Sequence, residues 1–250
     1  MESTNNSSFM KMQRFYTVNQ LCEKKKVHFS TEQSRQISRV LRMDKGQELL
    51  LFNGDGTEWI AEIIDISYTS VSAMVKKFNR EQIRGPDFCL AIGLCNIERF
   101  EIAIEKCTEL GANKFIPMIT ERVQGSSKLS LSERRINRWR KIAIEASEQS
   151  GRLTIPVISE LKKVIDLVGS CSDWEQFFMD ESQNFNGLDE FGGDFTYPLI
   201  VYIGPPGGFT THELQFFLNN GVKELSLGPR TLRTETAAIS VSTLLNQAFK

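Results

Sequence analysis

From Asp87 to the end of the chain, short apolar runs alternate with segments of helical periodicity. This alternation constrains the fold more than any other feature. Runs typical of buried strands are FCLAIGL, FIPMI, LIVYIG and KELSLG. Between the first two runs, Phe100, Ala103 and Cys107 recur at the spacing of one helix face. The pattern predicts an α/β domain over residues 87–250 with a mostly parallel sheet.

The first third of the chain has a different pattern, with runs typical of β-strands. Two of them flank Asn53-Gly54-Asp55-Gly56, a sequence that favours a tight hairpin. A helix is predicted over residues 30–42, where Ser30 and Gln33 have the spacing of a capping box. We therefore expect a small β-rich domain over residues 13–80.

Three polar stretches are expected to lie outside these elements. Residues 1–12 are polar, and we expect a disordered start there. Residues 79–86 have the composition of a linker between the two domains. Residues 170–194 hold seven acidic residues and no basic one, and we expect this insert to be the least structured stretch and to cover a surface.

Composition excludes several classes of protein. Apolar residues make up 40% of the chain, yet none of its stretches approaches the roughly 20 apolar residues of a membrane span. The start lacks the apolar core of a secretory signal, so we expect a cytoplasmic protein. The five cysteines never form a C-x-x-C pair, and His28 and His212 stand far apart in sequence. We therefore expect no metal site.

Charge is unevenly distributed, although the net charge is only -1. Residues 11–50 hold nine basic and four acidic side chains, and residues 122–141 hold seven and one. Such segments are either solvated helix faces or contacts to phosphate. Within the first, Arg35, Arg39 and Arg42 have nearly helical spacing, and we predict that they form a row facing phosphates.

Two turns rich in glycine and proline stand where a ligand is expected. Ligands of open α/β sheets bind beyond the carboxyl ends of the strands. The first turn, residues 203–209, reads IGPPGGF, and the second, residues 227–237, reads LGPRTLRTETA. Neither matches a P-loop or a dinucleotide-binding fingerprint. Both turns therefore remain candidate binding loops without an assigned ligand at this point.

The second turn also carries charge. Arg230, Arg233 and Glu235 stand beside the predicted start of the last helix, with Thr234 or Thr236 as its N-cap. Two interpretations are open. The charges form a salt-bridged helix cap, or a guanidinium stabilises negative charge that develops in a reaction.

Several blocks together carry a family resemblance that covers nearly the whole chain, from about Arg14 to Phe249. They are RFY, SRVLRMDKGQ, EKCTELG, KIAIEASEQSGR, IGPxGGF and LGPRxLRTETA. These blocks resemble the signature of the bacterial 16S rRNA (uracil-N3) methyltransferase family, which belongs to the knotted SPOUT class of S-adenosylmethionine enzymes. One departure is Pro206, which stands where the family usually has glutamate.

The resemblance implies a fold, a cofactor and partners. The carboxyl-terminal domain would contain a trefoil knot through which the last two loops are threaded, although knots are rare. The amino-terminal domain would be a PUA-like β-barrel that binds RNA. The protein would be a homodimer that uses S-adenosylmethionine and no metal to methylate N3 of a uridine in 16S rRNA of the small ribosomal subunit. Carried over by position, the cofactor-binding residues would be Ile203, Gly204, Gly207, Leu227, Gly228 and Leu232.

The same resemblance leads to roles for three more residues. Uracil N3 must first lose a proton whose pKa lies roughly two units above neutrality, and Arg233 is our candidate to stabilise the resulting anion. Glu235 would be either the base or the side chain that orients Arg233, and we favour orientation because a carboxylate paired with arginine is a poor base. Arg152, in the EQSGR block, is predicted to contact RNA on the substrate side.

Two alternatives remain open. A noncatalytic RNA-binding protein would keep the fold without turnover, and Pro206 is its best argument; the intact LGPRTLRTETA block argues against it. A SPOUT methyltransferase that acts on another RNA, such as tRNA ribose, is the second. The amino-terminal block, which resembles the small-subunit family, argues against this one.

Overall fold

The structure is a computed structural model that describes residues 12–82, 85, 87–94, 96–123, 131–180 and 198–248. Internal contacts divide the chain into two compact units. The first unit reaches Gln82 and includes Gly151–Thr154, and the second unit contains the remaining residues. The predicted disordered start lies outside the described residues except for Met12.

The first unit is built on a five-stranded sheet. Its strands are β1 (Arg14–Tyr16), β2 (Lys26–His28), β3 (Glu48–Phe52), β4 (Thr57–Ile66) and β5 (Val71–Glu81). Their order in the sheet is β1-β3-β4-β5-β2, with β1 parallel to β3 and the other neighbours antiparallel. The hairpin predicted at Asn53-Gly54-Asp55-Gly56 is confirmed, because it joins the antiparallel strands β3 and β4.

The helix predicted over residues 30–42 is only partly correct. The capping box of Ser30 and Gln33 is confirmed, and it starts helix α1 (Thr31–Arg35). The chain then widens into one π-helical segment (Gln36–Val40), and Arg42 adopts a left-handed φ of 50°. Arg42 therefore does not lie on the helix, and the predicted row of three arginines ends before it. Spacing alone carries no signal for a π turn.

A buried carboxylate ties together the ends of three segments in the first unit. The Glu58 side chain on β4 is 1% exposed and accepts hydrogen bonds from Arg14 Nε (2.6 Å), Asn79 Nδ2 (2.6 Å) and Arg80 Nε (3.1 Å). Burial alone would raise the pKa of Glu58, but these hydrogen bonds and the charges of Arg14 and Arg80 outweigh it and lower the pKa. The linker predicted over 79–86 is thus wrong for its first residues, because β5 runs to Glu81 and Asn79 and Arg80 bind Glu58.

Replacing Glu58 with glutamine is expected to lower the free energy of unfolding by about 2 kcal/mol at neutral pH, because it weakens charged hydrogen bonds in a buried place. The lowered pKa means that this stabilisation is fully present above the usual glutamate pKa and is lost as pH falls through the lowered value. Urea denaturation across the acidic range measures both effects. Glu62→Gln, which removes an exposed partner of Lys76, should change stability by less than about 0.5 kcal/mol. Equal losses in the two variants would contradict the assignment.

The second unit is a parallel α/β structure. Its strands are β6 (Phe88–Gly93), β7 (Lys114–Ile119), β8 (Val157–Ile158), β9 (Lys162–Lys163), β10 (Glu175–Met179), β11 (Leu199–Ile203) and β12 (Lys223–Leu225). Its helices are α2 (Ile97–Glu109), α3 (Glu133–Ser150), α4 (Val164–Ser170), α5 (Thr211–Asn219) and α6 (Thr234–Ala248). The strand order is β12-β10-β11-β6-β7-β8, with β9 also paired to β7. Every pairing is parallel, so the predicted α/β class with a mostly parallel sheet is confirmed.

Two hydrophobic clusters form the core on opposite faces of this sheet. Strand β6 contributes Leu90 and Ile92 to the cluster that includes α2, α3 and α6, and Cys89 and Ala91 to the cluster that includes α4 and α5. Successive side chains of a strand point to opposite faces, so this division follows from the strand geometry. The continuous apolar run that predicted β6 reflects burial on both faces.

The prediction that the acidic insert is the least structured stretch is wrong for its described part, residues 170–180. Its residues 175–179 form β10, which lies between β11 and β12 in the sheet. Phe177 and Phe178 are buried there, one on each face. Because acidic residues flank these five residues, the composition of the insert does not predict a strand there. Residues 181–194 of the insert lie outside the described part of the chain.

Helix starts agree with the sequence patterns in one case and differ in another. The capping box of Thr210 and Glu213 is confirmed at α5. At α6, the backbone N–H of Ala237 donates to the Arg233 carbonyl, and the Thr234 hydroxyl donates to the Gly204 carbonyl instead of capping the helix. Thr236 lies inside α6, so neither threonine is the N-cap that we predicted.

Candidate functional site

The carboxyl ends of four parallel strands meet at one edge of the second unit's sheet. Strand β11 leads into the first turn (residues 203–209), and β12 leads into the second turn (residues 227–237). Met179 and Asp180 follow β10, and Arg99 lies in the first turn of the helix that follows β6. Parallel strands place these segments together because their carboxyl ends share one edge.

One hydrogen bond joins the two turns, because the Thr234 hydroxyl donates to the Gly204 carbonyl at 3.1 Å. Within the first turn, the Gly208 N–H donates to the Pro205 carbonyl at 2.8 Å. Gly228 has a φ of 105°, a conformation that favours glycine. The Thr234 side chain thus ties the second turn to the first, and the backbone shapes each turn.

A cavity of about 410 Å³ lies between the two turns, within the usual range for small-molecule sites. Its apolar lining residues are Met179, Ile203, Phe209, Leu227, Leu232 and Ala237. All six residues predicted to bind the cofactor line it: Ile203, Gly204, Gly207, Leu227, Gly228 and Leu232. The fold thereby brings together residues that are up to 29 positions apart in the sequence.

The charge in this cavity is predominantly positive. Four guanidinium groups line it, those of Arg99, Arg122, Arg230 and Arg233, against the single carboxylate of Asp180. Arg233, the predicted stabiliser of an anion, forms no ion pair with any described residue. A positive cavity of this kind favours an anionic or anion-forming ligand.

Three charged lining residues were missed by sequence reasoning. Arg99 and Arg122 follow the carboxyl ends of β6 and β7, so their position after predicted strands was a usable signal. An Arg122 Nη1–H donates to the Gly207 carbonyl and so fastens the first turn. Asp180 had no such signal, because it lies in the stretch that we expected to cover a surface.

Glu235 has a different partner from the one that we predicted. Its carboxylate lies 3.8 Å from Arg99 Nε, and no ion pair joins it to Arg233 among the described residues. The Glu235 side chain is 12% exposed, does not line the cavity, and has one buried oxygen, Oε2, without a hydrogen-bond partner in the described structure. Glu235 therefore interacts with Arg99, which lines the cavity, without lining the cavity itself.

The four residues predicted to bind RNA have different surroundings. Arg35, Arg39 and Arg42 are exposed, and none forms an ion pair with another described residue. Arg39 lies over the ring of Tyr68. Arg152 is only 9% exposed and donates through Nε to the Thr154 carbonyl at 3.0 Å. These contacts give Arg152 a role in holding its own segment.

Other reactive groups are remote from the cavity or buried. Burial raises the pKa of the Cys89 thiol, and it raises that of the Cys107 thiol to about 12, so both are protonated. Within the described ranges, His, Cys, Asp and Glu side chains form no cluster of three that could hold a metal ion. No described helix has the length and apolar character needed to cross a membrane.

Comparison with known proteins identifies the two parts of the chain. Residues 84–246 match the model of the RNA methyltransferase domain, and residues 31–73 match the model of the RNA methyltransferase PUA domain. The chain is 30% identical over 234 residues to ribosomal RNA small subunit methyltransferase E of Rickettsia conorii, covering 92% of this chain and 93% of that protein. The enzyme of the same name from Bacillus subtilis is 30% identical over 239 residues, covering 91% and 93%.

Solved structures agree with these sequence matches. A Legionella pneumophila protein described as a methyltransferase and solved with its bound cofactor S-adenosylmethionine has a TM-score of 0.84 at 29% identity, covering 95% of this chain and 98% of that one. Ribosomal RNA small subunit methyltransferase E from Neisseria gonorrhoeae, bound to S-adenosylmethionine, has the same fold, with a TM-score of 0.86 at 24% identity over 95% and 98%. The chain, with its cavity between two glycine-rich turns and its PUA domain, belongs to the RNA methyltransferase family that includes the ribosomal RNA small subunit methyltransferases E.

Proposed function

We propose that this protein is an S-adenosylmethionine-dependent methyltransferase that modifies small-subunit ribosomal RNA. The observation that carries the proposal is the cavity of about 410 Å³ between the two turns, with apolar walls and Arg233 at its edge. Its relatives are named for this activity, and two proteins of the same fold hold S-adenosylmethionine.

The residues of the cavity fit the cofactor. A Cβ on Gly204 would lie 3.0 Å from Gly208 Cα. The two ends of the first turn therefore pack closely, backbone against backbone, which glycine permits. Apolar side chains such as Ile203 and Leu227 provide surfaces for an adenine ring, and the peptide groups of both turns provide polar contacts. When bound, the cofactor supplies an electrophilic methyl group. The amino group of the cofactor is protonated and positively charged, so Asp180 would be its natural partner in this cavity.

We infer that the acceptor is N3 of a uridine, as the family resemblance implies. Deprotonated uracil shares its negative charge among N3 and the two carbonyl oxygens O2 and O4, and a fixed guanidinium nearby makes that state more accessible. The exposed, unpaired side chain of Arg233 is free to approach such a ring from the cavity rim. Arg233 is therefore our candidate catalytic residue, and Arg99 is a second guanidinium facing the same space.

Glu235 is proposed to be a positioning residue that acts through Arg99. Glu235→Gln should reduce kcat/KM by about tenfold or less, because a distance of 3.8 Å between Arg99 Nε and the carboxylate is long for an ion pair and makes the interaction modest. The double variant with Arg99→Gln should lose little more than Arg99→Gln alone, because Glu235 acts through Arg99. The pH profile of kcat should keep its shape. A profile that loses its acidic limb in Glu235→Gln would instead make Glu235 the base.

Several finer features are also proposed. We propose that the first unit closes into a PUA-like β-barrel, and that the two turns belong to a trefoil knot, as the family resemblance implies. A homodimer and a cytoplasmic location, where ribosomal subunits assemble, complete the proposal. The exposed Ile97 and Ile102 on α2 support a contact between copies near the site.

Transfer of tritium from methyl-labelled S-adenosylmethionine tests this proposal against both alternatives. The purified full chain is incubated with naked 16S rRNA, with assembled small subunits and with bulk tRNA. Label in 16S rRNA or small subunits supports the proposal. RNA binding without label would favour the noncatalytic protein, and label in tRNA alone would favour a SPOUT enzyme with another substrate.

A further inference from the structure

One exposed aromatic side chain of the first unit is held in place by an arginine. The Cζ atom of Arg39 lies 3.3 Å from the centroid of the Tyr68 ring. The ring is nevertheless 53% exposed, and the Tyr68 hydroxyl has no hydrogen-bond partner within the described structure. A ring that served only to pack the core would be covered instead.

Both sides of this contact are rigidly supported. Tyr68 lies in a tight turn closed by hydrogen bonds between Ser67 and Ser70, with the Ser67 N–H and hydroxyl donating to the Ser70 carbonyl at 2.8 and 3.0 Å. Arg39 belongs to the π-helical segment, a rare form that is frequent at functional sites. The surface is thus preorganised and loses little conformational entropy when it binds a flat ligand.

The charges around this contact are unbalanced. Arg35, Arg39 and Arg42 form no ion pairs with described residues, whereas Arg14, Lys76 and Arg80 of the same unit all do. Arg42 also holds a left-handed φ of 50°, which is strained for a residue with a side chain. These unpaired cations lie within four residues of Arg39 in the chain, and together with the exposed ring they fit a ligand that has both phosphates and flat bases.

We propose that Tyr68 and Arg39 form a stacking platform for an unpaired base of the RNA substrate, and that the exposed Arg35 and Arg42 in the same part of the chain meet its phosphates. The inference rests on the proposed function, and it gives Arg39 a role different from that of a phosphate contact. Recognition of single-stranded RNA depends on stacking of splayed bases on aromatic rings and guanidinium planes. Such stacking tolerates any base, because every base has a π face.

Binding of a fluorescein-labelled single-stranded RNA oligonucleotide to the full chain, followed by anisotropy, tests the platform. Tyr68→Ala should weaken binding about tenfold, while Tyr68→Phe and Tyr68→Trp should retain it, because both keep an aromatic face. The slope of log affinity against log salt should be unchanged in Tyr68→Ala and should fall by about one unit in Arg42→Ala. Arg39→Lys should lose affinity with its slope unchanged, because it keeps the charge and removes the plane.

Two controls separate this platform from general effects. Phe78→Ala removes another half-exposed ring of the same unit, and Lys76→Ala removes a paired surface charge; neither should weaken binding more than about twofold. An equal loss in Phe78→Ala, or full affinity in Tyr68→Ala, would overturn the inference. If the unaltered chain binds no RNA at all, the proposed function itself fails, and S-adenosylmethionine-dependent labelling of 16S rRNA distinguishes the two failures.

Discussion

Replacing Arg233 with alanine is expected to reduce the rate of methyl transfer at least about 100-fold, because removing one fixed group that stabilises a developing anion has effects of that size. Arg233 lines the cavity, is exposed and has no ion-pair partner among the described residues, so its charge is available to the acceptor base. Arg233 is expected to act on the acceptor base and not on the cofactor. The affinity for S-adenosylmethionine should therefore stay within about threefold, a difference of less than about 1 kcal/mol. Single-turnover kinetics and calorimetry measure the two quantities.

Arg230→Ala is the matched control for this change, since it removes the same charge from the same turn three residues earlier. It should slow transfer far less, because general attraction of RNA to the cavity is shared among four arginines. Transfer by Arg233→Ala within about tenfold of the unaltered chain, at equal cofactor affinity, would show that Arg233 does not stabilise the anion. Arg233→Lys should retain part of the rate that Arg233→Ala loses, because lysine keeps the charge without the planar guanidinium.

Replacing Gly93 with alanine is expected to abolish measurable cofactor binding, a loss of at least about 100-fold in affinity. A Cβ there would lie 2.6 Å from the backbone N of Pro205 and 2.7 Å from its Cδ, and 3.1 Å from the carbonyl carbon of Gly204. These atoms cannot swing aside as a flexible side chain can, so the first turn must move. Forcing an extra methyl into such packing also costs roughly 1–3 kcal/mol of stability.

Gly169→Ala provides the control, because it adds the same methyl in the same unit where nothing lies within 4 Å. It should leave cofactor affinity unchanged and, within α4, should slightly raise stability. Calorimetric titration with S-adenosylmethionine and urea denaturation compare the two variants. Normal cofactor affinity in Gly93→Ala would mean that the first turn does not form the binding surface.

The local part of this site could be predicted from the sequence, because each turn is a strand–turn–helix segment whose residues are neighbours in the chain. That pattern predicts both turns as binding loops, and the family resemblance implies that Gly204 and Leu227 bind the cofactor; both residues line the cavity. Long-range contacts could not be predicted in the same way. Glu235 was paired with Arg233, two positions away, whereas the fold brings Arg99 to it from a helix more than 130 residues earlier.

Features that depend on backbone geometry could not be predicted from residue patterns either. The spacing of Arg35, Arg39 and Arg42 suggests one helical row, but a π turn and a left-handed residue redirect the third of them. The strand around Phe177 was hidden because acidic residues dominate its surroundings, although its two aromatic residues belong to both cores. The exposed position of Tyr68 could not be predicted, because a single tyrosine near a turn has no periodic pattern around it.

The other predictions depend on one proposed reaction, the transfer of a methyl group from S-adenosylmethionine, bound between the two turns, to N3 of a uridine. The most direct test supplies small subunits lacking this modification with the purified chain and S-adenosylmethionine carrying a deuterated methyl group, then digests the RNA to nucleosides for mass spectrometry. We expect heavy 3-methyluridine from 16S rRNA. Its rate of formation should fall in Arg233→Ala by the factor expected above for methyl transfer. Heavy methyl in a ribose or in another base, or none in the RNA, would contradict the proposed reaction.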